Sequence, residues 1–484
     1  MVDREASPSS PGGGGAAAVT ANADGTTEIG SAAPIEFEDS RVKSGTLASL
    51  VDYILPTATK AAKSKANAWY TFTFLVTSRL FLKPFELLQM IADCPELDAV
   101  ATVQLLRTWK DTCASDFRDQ RMMRPFTEIT KKLTAALTAA NPDESATTLV
   151  STLQNGLYSA LKNMETYELK LKKEFELQLK VKRETLSSTG MSSKKDKSIL
   201  SLTSTPREAA EQLIIIEQER FSAIGANEFI ETFVKDEDDA QTHNTYESSS
   251  NIEAYIAWFN RLSYFVSTEI CCTTDTKKRV KLLDFWVAVG KECQAMNNYN
   301  SLMAIVAALN MNSVSRMKKT WSKGGSKMKT AFEELENILN PSSNFSNYRS
   351  AIAALADTVP CIPFFSLLVK DIYFINESSK KKLANGHLNF ERLWPVSECL
   401  SSFMQYKHTI ATSSWKPKDA VLAVLTTAPV CTELELYRSS VENEAPSKAD
   451  AGKTMSRLRK MSSSNMSDGE GAGASEKGSP EAAI

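Results

Sequence analysis

The three histidines are the first residues to test for catalytic or metal-binding chemistry: His243, His387 and His408. A zinc helix of the His-Glu-x-x-His type needs two histidines four residues apart, so that both face one ion. No two histidines in this chain have that spacing. The sequence also contains no Gly-x-Ser-x-Gly, the turn that exposes a nucleophilic serine. Both classes of hydrolase are therefore excluded.

A phosphate-binding loop is suggested only by the tripeptide Gly452-Lys453-Thr454. The complete motif needs a glycine five residues before Gly452, where this chain has Ser447, and it needs a preceding strand. The acidic run 236–239 is typical of solvated loop charges. These patterns predict no nucleotide-hydrolysing site, no metal and no cofactor.

The eight cysteines show no C-x-x-C spacing. Cys271 and Cys272 are adjacent, and neighbouring residues on a helix cannot both point at one ion. We therefore predict reduced thiols, mostly buried, as is usual in a cytoplasmic protein.

The bulk composition is that of an ordinary globular protein, with 42% hydrophobic and 24% charged residues among 484. The formal net charge of −2 gives no basic field that would attract nucleic acid. The longest clean apolar run, 302–309, is too short to cross a bilayer. We expect a cytoplasmic protein without an integral membrane segment, recruited to membranes transiently and through partners if at all.

Glycine and proline are sparse in the middle of the chain, and apolar residues recur there at helical spacing, as in Leu47, Leu50, Val51 and Ile54. The stretch Ser44-Gly45-Thr46 precedes these residues and offers an N-cap candidate, and Pro84 fits a first helical turn. The two ends are rich in small polar residues and are predicted to be disordered. The predicted organisation is a disordered tail (1–40), a first helical domain (41–140), a charged helical and Ser/Lys-rich linker (141–204), a second helical domain (205–440) and a disordered tail (441–484).

A series of motifs in the second helical domain, in order and at the expected distances, resembles the catalytic domain of Ras guanine-nucleotide exchange factors (RasGEF). The segment 206–217 resembles the opening helix P-x-x-x-A-x-Q-L-T-x-I-E, and 296–305 resembles L-N-N-F-N-S-x-x-A-I. Residues 344–349 match N-F-x-x-Y-R, and the stretches 360–365 and 370–377 follow. Each fragment is weak alone, but their shared order is specific.

The first helical domain resembles the Ras exchanger motif (REM) domain that precedes such catalytic domains. The segment 72–81 is similar to F-L-x-T-Y-R-x-F, with Ser78 in place of the usual tyrosine, and 106–109 is similar to L-R-x-W. The resemblance implies an all-α fold with a REM domain and a larger catalytic domain that carries a protruding helical hairpin, from about Leu367 to Arg392.

The resemblance also implies a function without covalent chemistry: binding a Ras-family small GTPase and promoting GDP release. In this family the hairpin displaces switch I and brings an apolar and an acidic side chain toward the magnesium and phosphate site. Those positions fall on Tyr373 and Glu377 here. For each of the two residues an alternative is open: packing within the hairpin for Tyr373, and an ordinary exposed acid at a helix end for Glu377.

Contacts to the GTPase are implied for six further residues, Asn297, Asn298, Asn300, Lys370, Asp371 and Asn376. Internal hydrogen bonding is the alternative for the asparagines of the 296–305 motif, because a buried polar group must find partners. An exchange-inactive scaffold that binds a small GTPase is the alternative function. Either Ras or Rap is the expected partner, with a slight preference for Rap from the hairpin segments.

Ser462 is a candidate phosphorylation site, since Arg459 and Arg457 stand three and five residues before it. Basophilic kinases favour that pattern, and a phosphate there would add about −2 charge beside cations. The alternative is a plain solvated tail.

Overall fold

A computed structural model describes residues 20–21, 27–28, 35–57, 64–140, 145–187, 198–234, 250–377, 380–412, 414–446 and 451–467. Helices dominate these segments and the strands have two to five residues, so the predicted all-α class is confirmed. The chain divides into two units. The first holds the described residues of 1–159, 234–242 and 374–398, and the second those of 160–233, 243–373 and 399–484.

Among the described residues, the first unit consists mainly of five helices and the beginning of a sixth. They are α1 (Leu47–Ile54), α2 (Ser64–Thr77), α3 (Pro84–Asp93), α4 (Ala99–Cys113), α5 (Gln120–Ala140) and the start of α6 (Ser145–Ser187), with 3₁₀ turns at Ser78–Leu80 and Ala114–Arg118. Thr46 caps α1 by accepting the Ser49 N–H at 3.2 Å, and α3 begins at Pro84. Both predicted helix starts are confirmed. The core residues include Leu50, Phe74, Leu87, Leu88, Ile91, Leu106 and Trp109.

Short antiparallel strands accompany the helices of the first unit. They are β1 (Thr20–Ala21) paired with β2 (Thr27–Glu28), and a sheet of β3 (Glu36–Glu38), β4 (Arg41–Gly45) and β5 (Leu388–Asn389) in that order. Ser44 lies opposite Asn389 and Gly45 opposite Leu388. Residues near the start of the chain thereby pair with residues far along it.

Aromatic side chains reinforce the β4–β5 pairing. The Phe390 N–H donates to the Lys43 carbonyl at 3.0 Å, and the Trp394 indole N–H donates to the Val42 carbonyl at 2.9 Å. The Phe390 ring stacks on Tyr70 of α2 with centroids 4.9 Å apart. Residues 388–394 are thus held by backbone and rings from the N-terminal part of the chain.

A buried ion pair joins two motifs of the first unit. Arg79 donates two hydrogen bonds to Asp116, at 2.9 and 3.1 Å, and the Trp109 indole N–H donates to the same carboxylate at 2.7 Å. The side chains of Arg79 and Asp116 are only 6% and 5% exposed. A bidentate guanidinium–carboxylate pair with a third donor offsets the loss of hydration that burial imposes.

The second unit contains the rest of α6 and the remaining helices. They are α7 (Ile199–Leu202), α8 (Pro206–Ala223), α9 (Ala226–Phe229), α10 (Asn251–Cys271), α11 (Thr276–Ala295), α12 (Tyr299–Asn310), α13 (Asn312–Ser315), α14 (Lys318–Lys323), α15 (Ser326–Ile338), α16 (Ser342–Ala353), α17 (Phe365–Glu377), α18 (Leu393–Ala411), α19 (Asp419–Thr427), α20 (Glu433–Asn443) and α21 (Ala451–Ser467), with a π turn at Ile230–Val234. Helices α17 and α18 also contribute residues to the first unit.

Small residues bring the central helices of the second unit close together. Ser263 and Ser267 of α10 donate to the carbonyls of Ala304 and Ala308 on α12, at 2.9 and 3.1 Å. On α11, a Cβ at Gly290 would lie 2.8 Å from a Leu335 methyl group of α15, closer than real Cβ atoms come. Glycine there permits the tight approach of α11 and α15.

The helix in the segment predicted as a linker contacts other helices of the second unit at two points. Glu174 of α6 accepts from Arg220 at 2.5 Å, and the Gln178 amide donates to the Thr426 carbonyl at 2.7 Å. Helix α6 has 43 residues, and its second half is rich in charged residues. Neither it nor any other helix in the described segments is long and apolar enough to cross a membrane.

The C-terminal segment contains more structure than its composition predicts. Helix α20 extends to Asn443, and α21 occupies Ala451–Ser467 within the stretch for which disorder was predicted. The Arg457 guanidinium of α21 lies over the Tyr437 ring of α20, 5.6 Å from its centroid. Such cation–π packing offsets part of the entropy of ordering a polar helix.

Candidate functional site

Helix α17 carries most of the predicted site residues, and its first part is anchored in the second unit. Phe365, Leu367 and Ile372 are at most 3% exposed. The Phe365 ring packs edge-on against Tyr255 at 4.9 Å and against Phe229 at 5.7 Å. One residue earlier, the Phe364 N–H donates to the Tyr348 hydroxyl at 2.8 Å. The start of the helix is therefore fixed by rings and by the backbone.

The asparagine motif lies beside this anchor. Asn297 adopts φ 56°, a left-handed conformation that asparagine tolerates better than most residues. Its carbonyl accepts the Ile362 N–H, while the Tyr299 N–H donates to the Ile362 carbonyl, both at 2.9 Å. The Asn298 side chain accepts the Ser301 N–H at 3.1 Å and caps α12. The turn thus holds the segment that leads into α17.

Asn300 connects a buried carboxylate to the start of α17. Its amide nitrogen lies 3.2 and 3.1 Å from the two oxygens of Glu217, and its amide oxygen accepts the Phe365 N–H at 3.3 Å. Asn298 and Asn300 are at most 1% exposed. Both side chains form internal hydrogen bonds, which was the alternative to a contact with the GTPase. The Asn297 side chain is half-buried.

Glu217 is fully buried in the interior of the second unit and is surrounded by donors. The Tyr255 hydroxyl, the Trp258 indole N–H at 3.1 Å and the Ser301 hydroxyl at 2.7 Å all point at its carboxylate. Burial raises the pKa of Glu217 above its usual range, although these hydrogen bonds pull it down. Through Asn300, this titratable carboxyl group is linked to the start of α17.

The raised pKa of Glu217 predicts a pH-dependent stability. A carboxyl whose pKa is higher in the folded than in the unfolded chain contributes stability below its unfolded pKa and loses it as pH rises through the folded value. We expect Glu217→Gln, which cannot ionise, to lose less stability than the wild type as pH rises from acidic to neutral. Denaturant unfolding at several pH values measures this. Parallel pH profiles for the two proteins would contradict the prediction.

The later part of α17 turns side chains outward. Tyr373 is 37% exposed and Phe374 60% exposed. Lys370 and Asp371 are half-buried, and Asp371 forms an ion pair of 2.8 Å with Arg349 of α16. The exposed aromatic pair lies where the resemblance puts the apolar site residue. Phe374 was not among the predicted site residues. The helical periodicity of the sequence does not show which of two adjacent aromatic residues is the more exposed to solvent.

The end of α17 contains the remaining predicted residues. Asn376 is 9% exposed and accepts from Arg392 at 2.5 Å, within the first unit. Glu377 is the last residue of α17, and its side chain lies outside the described residues. Ser462 belongs to α21, and its side chain also lies outside them, so its phosphorylation stays a prediction.

The buried carboxylate was not predicted as a site residue. Glu217 is the final residue of the opening motif, but burial cannot be read from a single acidic residue on a helix. Only contacts from α10 and α12 explain its presence. In the part of the chain that the structure describes, no group of three or more His, Cys, Asp or Glu side chains could hold a metal ion.

Comparisons with known protein families and with individual proteins all identify relatives that contain a RasGEF domain. Residues 208–394 match the RasGEF domain. The chain is 37% identical over 440 residues to Ras-GEF domain-containing family member 1B-A of Danio rerio, covering 85% of this chain and 82% of the relative. It is 36% identical over 440 residues to family member 1B of Homo sapiens, with 85% and 89% covered. Family member 1C of Mus musculus is 33% identical over 435 residues, with 84% and 88% covered. Because these relatives match over most of their own length, the chain belongs to the family of RasGEF domain proteins.

Proposed function

We propose that this chain is a guanine-nucleotide exchange factor that binds a Ras-family small GTPase and promotes GDP release. The main support is the RasGEF match over 208–394, which includes the whole of α17 and its exposed Tyr373–Phe374 pair. No covalent bond changes. A protein that binds the nucleotide-free GTPase better than the loaded form must weaken nucleotide binding by the same factor, because the two equilibria are linked.

The two parts of α17 differ in burial, and we assign them different roles. Its first part is a rigid base, held by Phe365 and Asn300, and its outer part offers Tyr373 and Phe374 to a partner. Exposed neighbouring aromatics provide apolar area suited to a protein interface. Tyr373 would exclude water and metal from the GTPase's phosphate site, while Glu377 would compete for the groups that bind magnesium and phosphate. Lys370, Asp371 and Asn297 would contact the GTPase beside them.

The decisive experiment is a fluorescent-GDP release panel with the purified full-length chain and loaded Ras, Rap and Ral proteins. We expect catalysed release from a Ras or Rap protein, with a slight preference for Rap. Release from Ras but never from Rap would remove that preference. Tight binding to a nucleotide-free GTPase without faster release would instead establish the exchange-inactive scaffold.

Removing the carboxylate of Glu377 tests the proposed chemistry. Glu377→Ala should slow GDP release by about tenfold for each 1.4 kcal/mol of differential binding that is lost. The loss should be moderate, because steric opening of the GTPase by the rest of the hairpin would persist. Glu333→Ala removes the same charge from an exposed position of α15 and should exchange at the wild-type rate. A wild-type rate for Glu377→Ala would refute this role.

We also propose that the N-terminal part is a REM domain that supports the catalytic domain. Deletion of residues 1–140 removes β4 and Tyr70, which leaves Phe390 and Trp394 without the packing described above. We expect a lower melting temperature and slower exchange, since exposed aromatic surface favours aggregation. Deletion of residues 1–34 alone keeps these contacts and should change neither. Equal melting temperatures for the two truncations would contradict the support role.

A further inference from the structure

Two cysteines that are distant in sequence meet in the second unit. The sulfur of Cys272, at the end of α10, lies 3.5 Å from the sulfur of Cys431, which precedes α20. The Ser439 hydroxyl lies 3.8 Å from the Cys272 sulfur. Both cysteines are half-buried, so small reagents have access. The two residues are 159 positions apart, so nothing in the sequence relates them.

One threonine fixes the backbone of both cysteines. The Thr268 carbonyl accepts the Cys272 N–H at 3.0 Å, and the Thr268 hydroxyl accepts the Cys431 N–H, also at 3.0 Å. That hydroxyl in turn donates to the Tyr264 carbonyl at 2.7 Å. The thiols are therefore in contact because the fold holds them there, and bond formation needs only a short movement of the side chains toward the normal S–S length of about 2.05 Å.

The environment makes the two sulfurs chemically unequal. The Cys431 thiol and the Ser439 hydroxyl can donate to a Cys272 thiolate, which lowers the pKa of Cys272 below its ordinary value. The same interaction raises the pKa of Cys431. The neighbouring Cys271 is buried, and burial raises its pKa to about 12. The pair thus favours a nucleophilic thiolate on Cys272 beside a protonated Cys431, while the neighbouring Cys271 thiol stays protonated.

We propose that Cys272 and Cys431 are a reversible redox site that hydroperoxides oxidise to an intramolecular disulfide. The Cys272 thiolate attacks one oxygen of hydrogen peroxide, becomes a sulfenic acid and releases hydroxide, which takes a proton to form water. The Cys431 thiol then loses its proton, attacks the sulfenic sulfur and displaces a second water. In sum, two thiols and one hydrogen peroxide give one disulfide and two waters.

The disulfide would tie the C-terminal helices to the centre of the unit. Directly after Cys431, α20 and the residue that follows it hold two other elements. The Ser440 carbonyl accepts from Arg316 at 2.7 Å, and the Glu444 carboxylate accepts the Lys319 and Thr320 N–H groups at 2.6 and 3.1 Å. A covalent link that closes so long a loop restricts the unfolded chain strongly. We expect oxidation to raise the melting temperature by several degrees, and dithiothreitol to reverse the rise.

Peptide mapping of the full-length chain tests the site directly. The reduced protein is treated with stoichiometric hydrogen peroxide, alkylated and digested without reductant. We expect one cross-linked peptide pair, and fragmentation between Cys271 and Cys272 assigns the sulfur to Cys272. Cys94→Ser removes another half-buried cysteine and should leave the cross-link intact. Cys431→Ser should stop oxidation at a dimedone-reactive sulfenic acid on Cys272, and Cys272→Ser should leave Cys431 unmodified.

A second measurement on the wild type does not depend on any variant folding. At neutral pH iodoacetamide should alkylate Cys272 faster than Cys94, because the pKa of Cys272 is lowered by its neighbours. The proposal is overturned if Cys272 reacts no faster than Cys94 at neutral pH. It is also overturned if peroxide gives only overoxidised Cys272 or disulfides between two chains, or if the oxidised protein melts no higher than the reduced one.

Discussion

Replacing Phe365 by alanine should lower the free energy of unfolding by about 3–5 kcal/mol, the usual cost of removing a buried phenylalanine ring. The ring is 2% exposed and contacts the rings of Phe229 and Tyr255. Its loss leaves a cavity at the point where α17 starts. Denaturant unfolding followed by tryptophan fluorescence measures the change. Under the proposed exchange function, GDP release should fall with it, because the start of α17 is no longer fixed.

Phe374→Ala is the matched control for this prediction. It removes the same ring from the same helix, but at a position that is 60% exposed. Its stability should stay within about 0.5 kcal/mol of the wild type, as for most exposed substitutions. If Phe374 contacts the GTPase, exchange should nevertheless fall. Together the two variants separate scaffold from contact surface. Equal stability losses would show that the burial of α17 does not divide the helix in this way.

Replacing Asp116 by alanine should be as damaging to the first unit. The Arg79 guanidinium would remain buried without its carboxylate, and breaking a buried ion pair from one side costs about 3–5 kcal/mol. Trp109 would lose its acceptor as well. We expect a large drop in melting temperature, while Glu128→Ala, which breaks the exposed pair with Arg124, should cost about 0.5 kcal/mol or less.

A double substitution sharpens the test of Asp116. Arg79→Met with Asp116→Leu removes both charges and keeps apolar volume, so it should recover much of the stability that Asp116→Ala loses. Trp109 would still lack an acceptor, so recovery should be incomplete. A double variant no more stable than Asp116→Ala would mean that packing around Asp116, rather than the stranded charge, determines the cost.

Local chemistry in the sequence was sufficient to predict the helix starts and the fold class. Thr46 accepts the N–H that an N-cap should accept, Pro84 opens α3, and α8 begins at Pro206, the first residue of the opening-helix motif. These features involve residues within a single turn, so tertiary contacts are not needed to identify them. The ordered RasGEF motifs likewise gave the family, which the comparisons confirm.

The roles of polar residues required the folded chain. Asn300 was predicted either to contact the GTPase or to bond internally, and only its contacts with Glu217 and Phe365, 83 and 65 residues away, describe what it does in this structure. A hydrogen bond depends on distance and angle, which sequence spacing does not encode across separate helices. For the same reason, the contact between the sulfurs of Cys272 and Cys431 could not be predicted from the sequence.

What the sequence by itself determined is therefore the helical class, several helix starts and the membership of a family, because periodicity, caps and motif order are properties of neighbouring residues. Only the tertiary structure decided that the N-terminal strand β4 pairs with β5, more than 340 residues later in the chain. It also decided that α17 divides into a buried base and an exposed aromatic pair. A two-residue strand has no period of its own, and its partner is selected by packing of the rings around it.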